Sequence, residues 1–311
     1  MNSELDVPVA FLIYKRPDVT RRVFAAIAAA RPRRLYVIAD GPRDEAEAAR
    51  CAATRAIIEE VDWPCEVFTN YAETNLGLKR RVSSGLDWVF AHEEQAIILE
   101  DDCLPDPTFF RFCAELLERY ANDPRVMHIS GDNFLPDKRF GRTSYIFTRY
   151  IYVWGWATWR RAWQHFDIDM QSWKDATIRS RLLQQFANPQ ERRFWNNVWE
   201  QTSAGQINSW DYAWAFACMA SNGLGIIPSK NLVTNIGFGP NATHTLVKSG
   251  FGPVPSASME FPLIHPDVVA RDIAVDSLLG KLASTRPPLH ARIAFRLSQI
   301  SSSLLRRQSK S

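Results

Sequence analysis

The first 135 residues alternate between strand-like and helix-like segments, and this alternation restricts the possible folds more than any other property of the chain. Residues 7–14 are apolar and β-rich, and Pro17-Asp18 then opens a helix with Val19, Val23, Ile27 and Ala30 on one face. Residues 35–39 form a second strand closed by the turn Asp40-Gly41-Pro42, and the alanine-rich stretch 43–60 supplies the next helix. Residues 65–70, 96–99 and 126–130 read as three further strands, interleaved with helices over 77–92 and 108–120. Such repetition predicts an α/β fold, a mostly parallel, doubly wound sheet with helices on both faces.

After Phe134 the pattern turns aromatic and irregular. Residues 144–156 read as an extended pair of strands, 181–201 and 211–220 as helices, and 225–234 as a late strand. No stretch rich in Gly, Ser or Pro separates two autonomous units. We therefore expect one domain over 1–270, with halves 1–135 and 136–270, followed by a basic tail at 271–311. Within that tail Leu289, Ile293, Leu297, Ile300 and Leu304 share one face of a helix ringed by arginines. Such a helix suits either an anionic membrane surface or docking on its own protein.

Composition excludes several classes. With 46% hydrophobic and 23% charged residues the chain is globular. No segment approaches the roughly 20 consecutive apolar residues of a membrane span. Residues 1–7 are too polar and acidic to open a secretory signal, so a cytosolic location is expected. The five cysteines, at 51, 65, 103, 113 and 218, are odd in number and form no CxxC pair, which argues against a disulfide framework or a zinc site. A net charge of +3 without a continuous basic stripe predicts no nucleic-acid partner. The tryptophans gather between Trp154 and Trp214, where their rings can stack on sugars or fill a core.

Chemistry concentrates at strand ends. The apolar run 96–99 finishes in Glu100, Asp101 and Asp102, and α/β sheets bind ligands just beyond the carboxyl ends of such strands. Adjacent carboxylates repel, so they suit a divalent cation, a sugar hydroxyl or a cationic side chain. A solvated acidic turn before the helix at Thr108 is the alternative reading. The first strand ends in Lys15 and Arg16 and the second in Asp40. Together these groups suit a nucleoside diphosphate, with Asp40 accepting from base or ribose and Mn2+ or Mg2+ bridging carboxylate and phosphates. Singly, Arg16 reads more readily as a solvated charge and Asp40 as a turn cap.

Four segments, PVAFLIYKRPDVTRR, VIADGPR, NLGLKRRVSSGLDWVF and IILEDDCLPDPTFF, resemble the nucleotide-sugar-binding half of GT-A fold glycosyltransferases. The Glu-Asp-Asp element with an early arginine and an Asp-Gly turn is similar to that of N-acetylglucosaminyltransferase I and of bacterial surface-polysaccharide transferases. The resemblance covers residues 7–135 and weakens beyond them. It implies that Arg16 contacts the nucleotide and Asp40 the uracil or ribose, while the segment Asn75, Leu76, Gly77, Leu78 and Lys79 runs past the donor. It further implies Asp102 as direct metal ligand, Asp101 facing the ribose or donor sugar, and Glu100 facing the sugar or a nearby water. Gly77 can also be read as a small residue that lets the backbone pass a ligand or turn into a helix.

In the second half, Asp211 lies between Trp210 and Trp214 at the start of a helix. Inverting transfer needs a carboxylate to take the acceptor proton, and an aromatic wall would raise its pKa, so Asp211 is the candidate base. The resembled family places its base in a comparable Trp-flanked segment. Helix capping by Asp211 is the alternative. Trp154 and Trp156 flank Gly155 and read as a sugar platform or as core. The resemblance also makes His244 a candidate third ligand of the metal or diphosphate. The expected activity is metal-dependent inverting transfer from a nucleoside diphosphate sugar, UDP-sugar foremost, to a glycan or lipid-linked acceptor. A sugar-phosphate nucleotidylyltransferase is a second reading, although residues 11–17 lack the glycine-rich loop that would cradle a triphosphate. A non-catalytic carbohydrate-binding protein is a third.

Overall fold

The computed structural model describes residues 4–135, 141–237 and 254–284. Its frame is four strands, β1 (Val9–Ile13), β2 (Arg34–Ala39), β3 (Glu66–Tyr71) and β4 (Gln95–Glu100), all parallel and ordered β3-β2-β1-β4. In β1 every side chain is buried, but alternate residues enter different cores. Val9, Phe11 and Ile13 pack with α1 (Pro17–Ala30) through Val23, Phe24 and Ile27. Ala10 and Leu12 face the other core, where Val82, Leu86 and Val89 of α3 (Leu78–His92) lie. Helices on both faces explain why β1 and β4 read as continuous apolar runs. Between β2 and β3 runs α2 (Glu45–Ala56), capped by Asp44, whose carboxylate accepts the N–H of Glu47 at 3.0 Å.

Beyond β4 come β5 (Cys103–Pro105), α4 (Thr108–Arg119), β6 (Val126–Ser130), β7 (Tyr145–Thr148), β8 (Trp156–Trp159) and α5 (Arg160–Trp163). They are followed by α6 (Ala176–Gln184), α7 (Pro189–Ser203), α8 (Asp211–Ala220), β9 (Leu224–Pro228), β10 (Val233–Asn235) and α9 (Ile273–Ser284). Among the described residues the main sheet has the order β3-β2-β1-β4-β8-β6-β9-β7, with β5 and β10 forming a separate antiparallel pair.

Among the described residues six of the eight main-sheet strands share one direction, as expected of a mostly parallel sheet, and two that run against them make it mixed. β8 inserts antiparallel between β4 and β6, pairing Ile98 with Trp156 and Ile129 with Ala157, and β7 runs antiparallel to β9. Apolar periodicity reveals a strand but not its direction, which depends on where the preceding loop delivers the chain. The expected pair within 144–156 is absent for the same reason, since β7 and β8 each pair with other strands. The expected helix over 181–201 is two helices, because Asn188 caps a new start at Pro189 and accepts the N–H of Gln190 at 2.8 Å. Among the described residues no helix is long and apolar enough to cross a membrane. The candidate helix 289–307 lies outside the described residues.

Candidate active site

β1 and β4 are neighbours in register, Leu12 opposite Glu100, so their polar ends meet at one edge of the sheet. The Arg16 guanidinium reaches across and donates from Nη2 to Asp101 Oδ1 at 2.5 Å and to Asp102 Oδ2 at 2.7 Å. The Tyr14 N–H donates to Asp101 Oδ2 at 3.2 Å. Burial works against the Arg16 charge, but the two carboxylates more than restore it, and its pKa stands above the ordinary value. Burial pushes Asp101 up to about 6, against the pull of Arg16. Glu100 rises further, to about 8, first from burial and then from the charges of Asp102, Asp101 and Asp211. One guanidinium therefore leaves this edge with an excess of negative charge.

Trp156 pairs with Ile98 of β4 and stacks on Trp210, which carries the start of α8 in the second half of the chain toward the same edge. Asp211 begins α8 half-buried, accepting from the Ser209 hydroxyl and from the Tyr212 N–H at 2.9 Å. Burial raises its pKa, as the flanking tryptophans led us to expect. Those tryptophans are fixed: Trp210 stacks on Trp156, and the Trp214 indole donates to His128 Nδ1 at 3.1 Å. His128 Nε2 then carries the proton and donates to the Tyr152 carbonyl at 2.8 Å. Burial holds His128 uncharged, with its pKa lowered to about 3.

Other predicted residues have different positions. Asp40 is buried, and its carboxylate accepts from Gly41 N, Leu76 N, Gly77 N and Asn75 Nδ2 at 2.9, 2.8, 3.1 and 2.9 Å. It fastens the loop before α3. Asn75 Nδ2 also meets the Gly41 carbonyl and the Tyr14 hydroxyl, both at 3.1 Å. Gly77 has φ +78 where the chain turns into α3, and a Cβ there would meet nothing within 4 Å, so conformation rather than space selects glycine. Lys79 is half-buried in the first turn of α3.

Trp154 is half-buried and edge-on to Phe134, with ring centres 5.2 Å apart. Trp156 is fully buried and stacks on His128 at 4.9 Å, so its ring belongs to the core and has no free face for a sugar. This corrects the paired platform, because β8 begins at Trp156 and turns its ring inward. His244 lies outside the described residues.

Three features escaped the sequence reading. Glu47 gathers the Tyr14 hydroxyl and Lys15 Nζ, each at 2.5 Å, together with the Arg43 guanidinium, and is held well below the usual carboxylate range. The Asp44-x-x-Glu47 capping pattern was its available signal. Asp132 follows β6 fully buried, with Oδ2 accepting the Trp154 N–H at 2.9 Å and Oδ1 lacking a partner among the described residues. Burial raises its pKa well above the ordinary value. Gly237 passes so close to Asp102 and Arg16 that any Cβ would strike both.

Among the described residues no three His, Cys, Asp or Glu side chains converge to hold a metal ion by themselves. The carboxylates are nevertheless hard oxygen donors with surplus negative charge. They fit a site in which Asp102 offers one ligand to Mn2+ or Mg2+ and other oxygens complete the shell.

No protein-family model matches the sequence, and neither does any curated protein sequence. Among solved structures, TarS residues 1–349 of S. aureus is similar at 14% identity and TM-score 0.36, over 50% of this chain and 47% of that one. UDP-glucose pyrophosphorylase complexed with UDP-glucose is similar at 11% identity and TM-score 0.27, over 46% and 63% of the two chains. The apo form of a UDP-glucose pyrophosphorylase is similar at 9% identity and TM-score 0.35, over 73% and 93%. The chain thus spans about half the length of the TarS fragment.

Proposed function

We propose that this chain is a GT-A-type glycosyltransferase that moves a sugar from a nucleoside diphosphate sugar to a hydroxyl acceptor with inversion. The observation that carries this reading is the gathering of Asp101 and Asp102 on Arg16 beside Glu100 at one sheet edge, with the start of α8 at Asp211 drawn toward it by the stacking of Trp210 on Trp156. Arg16 supplies charge to the diphosphate, and Asp101 and Glu100 face the ribose and sugar. Asp102 holds the divalent ion, which when bound offsets charge on the departing diphosphate. Asp211, raised in pKa by burial, takes the proton of the acceptor hydroxyl. Trp154 lines the approach of the acceptor. Asp40, Asn75 and Gly77 hold the donor loop in shape, and Lys79 borders it.

Transfer assays with UDP-, GDP- and dTDP-sugars and Mn2+ test the reading. Asp211→Asn should lower transfer about 10²- to 10⁴-fold, as expected for loss of a general base, while donor binding stays intact. A variant that transfers normally removes Asp211 from the chemistry. Failure of every sugar nucleotide to bind, with or without metal, ends the proposal.

A further inference from the structure

We infer that the opposite edge of the sheet carries a second binding site, for a phosphate-bearing ligand. A cleft of about 460 Å³ opens there, lined in part by Arg125, Arg149 and Arg271. Its size falls within the roughly 300–1,000 Å³ typical of ligand sites. Arg125 precedes β6, Arg149 follows β7 and Arg271 precedes α9, so the chain brings three guanidinium groups together from distant positions. β4 and β6 point the same way, which places the start of β6 at the edge away from Glu100.

The acids around the cleft are already engaged. Asp123 accepts from Arg125 Nε at 2.9 Å and from Nη2 at 2.6 Å. Asp276 accepts from Thr148 Oγ1, Arg149 N and Arg149 Nε at 2.6, 3.1 and 3.2 Å. Arg271 stands 3.7 Å from the same carboxylate, beyond hydrogen-bond distance. Glu191 senses Arg149 and Arg271, but it accepts from the Tyr150 hydroxyl and burial pushes its pKa up.

Arg149 is rigid. Its Nη1 donates to the Gln185 carbonyl at 3.0 Å and its guanidinium lies 4.9 Å from the Phe186 ring centre. Arg125 Nη1 reaches the Val269 carbonyl at 3.3 Å, tying it to the segment that bears Arg271. A guanidinium carries five N–H donors, so Arg125 and Arg271 keep donors for an incoming oxyanion. Forked N–H groups from several sides match a phosphate, and the remaining volume accommodates an organic substituent.

Calorimetric titration of the full chain at low ionic strength, with inorganic phosphate and separately with glycerol 3-phosphate, tests the site. We expect saturable binding that weakens at least about tenfold in Arg125→Gln/Arg271→Gln and persists in Arg16→Gln, which alters only the other edge. Tighter binding of inorganic phosphate marks a free-anion site, and tighter binding of the ester marks a phosphorylated ligand; either supports the inference. Absence of binding by both probes, or equal binding by the double variant, overturns it. Should the double variant fail to fold, Arg271→Lys decides, because it keeps the charge and loses the fork: weaker binding supports the site and unchanged binding overturns it.

Discussion

Asp40 and the Glu100–Asp102 cluster stand at the carboxyl ends of neighbouring regions of one sheet, yet they do opposite things. Asp40 is surrounded by donors, three backbone N–H groups and the Asn75 amide, so its charge is absorbed into loop structure. Asp101 and Asp102 share one guanidinium beside Glu100, and burial first, with the neighbouring carboxylate charges second, raises Glu100 to about 8 and Asp101 to about 6. The difference teaches that position at a strand end does not make an acid available to a ligand. Availability depends on whether the fold leaves the carboxylate short of partners.

The largest test of this contrast is Asp102→Ala. It should reduce metal-dependent transfer by about 10³-fold, the several kcal/mol that metal charge stabilisation supplies, while the thermal midpoint hardly moves. Asp40→Ala should do the reverse, costing about 3 kcal/mol of stability because buried N–H donors lose their acceptor. Urea denaturation measures it; unchanged stability with lost donor binding would break the contrast and return Asp40 to the nucleotide.

A smaller effect concerns His128, whose pKa falls from 6.5 to about 3 on folding. Between those values the unfolded chain binds a proton that the fold refuses, so stability declines as pH falls below 6.5. The slope is on the order of 1 kcal/mol per pH unit, and His128→Gln should flatten it in melts recorded from pH 7 to 4. The least effect is expected from Asp132→Asn. Burial favours an uncharged carboxyl there, and the amide oxygen can still accept the Trp154 N–H, so stability should stay within about 1 kcal/mol. A large loss would mean that Asp132 is ionised and belongs with the site acids.

Much of the first half was legible. Residues 96–99 are apolar on both faces because helices cover both faces, and this pattern survives in sequence without knowledge of neighbours. The start of α8 at Asp211 was legible from the aromatic run after it. The second half was less so. Trp154 and Trp156 look equivalent in sequence, but only Trp156 enters a strand, and there it meets His128 and Trp210. Asp132 gave no signal, since a single acid after a strand is common and its burial depends on the Trp154 turn, 22 residues away.

By itself the sequence determined the α/β layering, the acidic strand end and the amphipathic starts of most helices, because periodicity and charge are local properties of the chain. Tertiary structure alone decided that β8 lies antiparallel between β4 and β6, that Asp40 is saturated and that Arg16 is shared by two carboxylates. It also decided that three distant arginines line one cleft. The physical reason is common to all of these. Strand direction, donor supply and charge balance are set by which groups approach through space, and a one-dimensional pattern does not carry those distances.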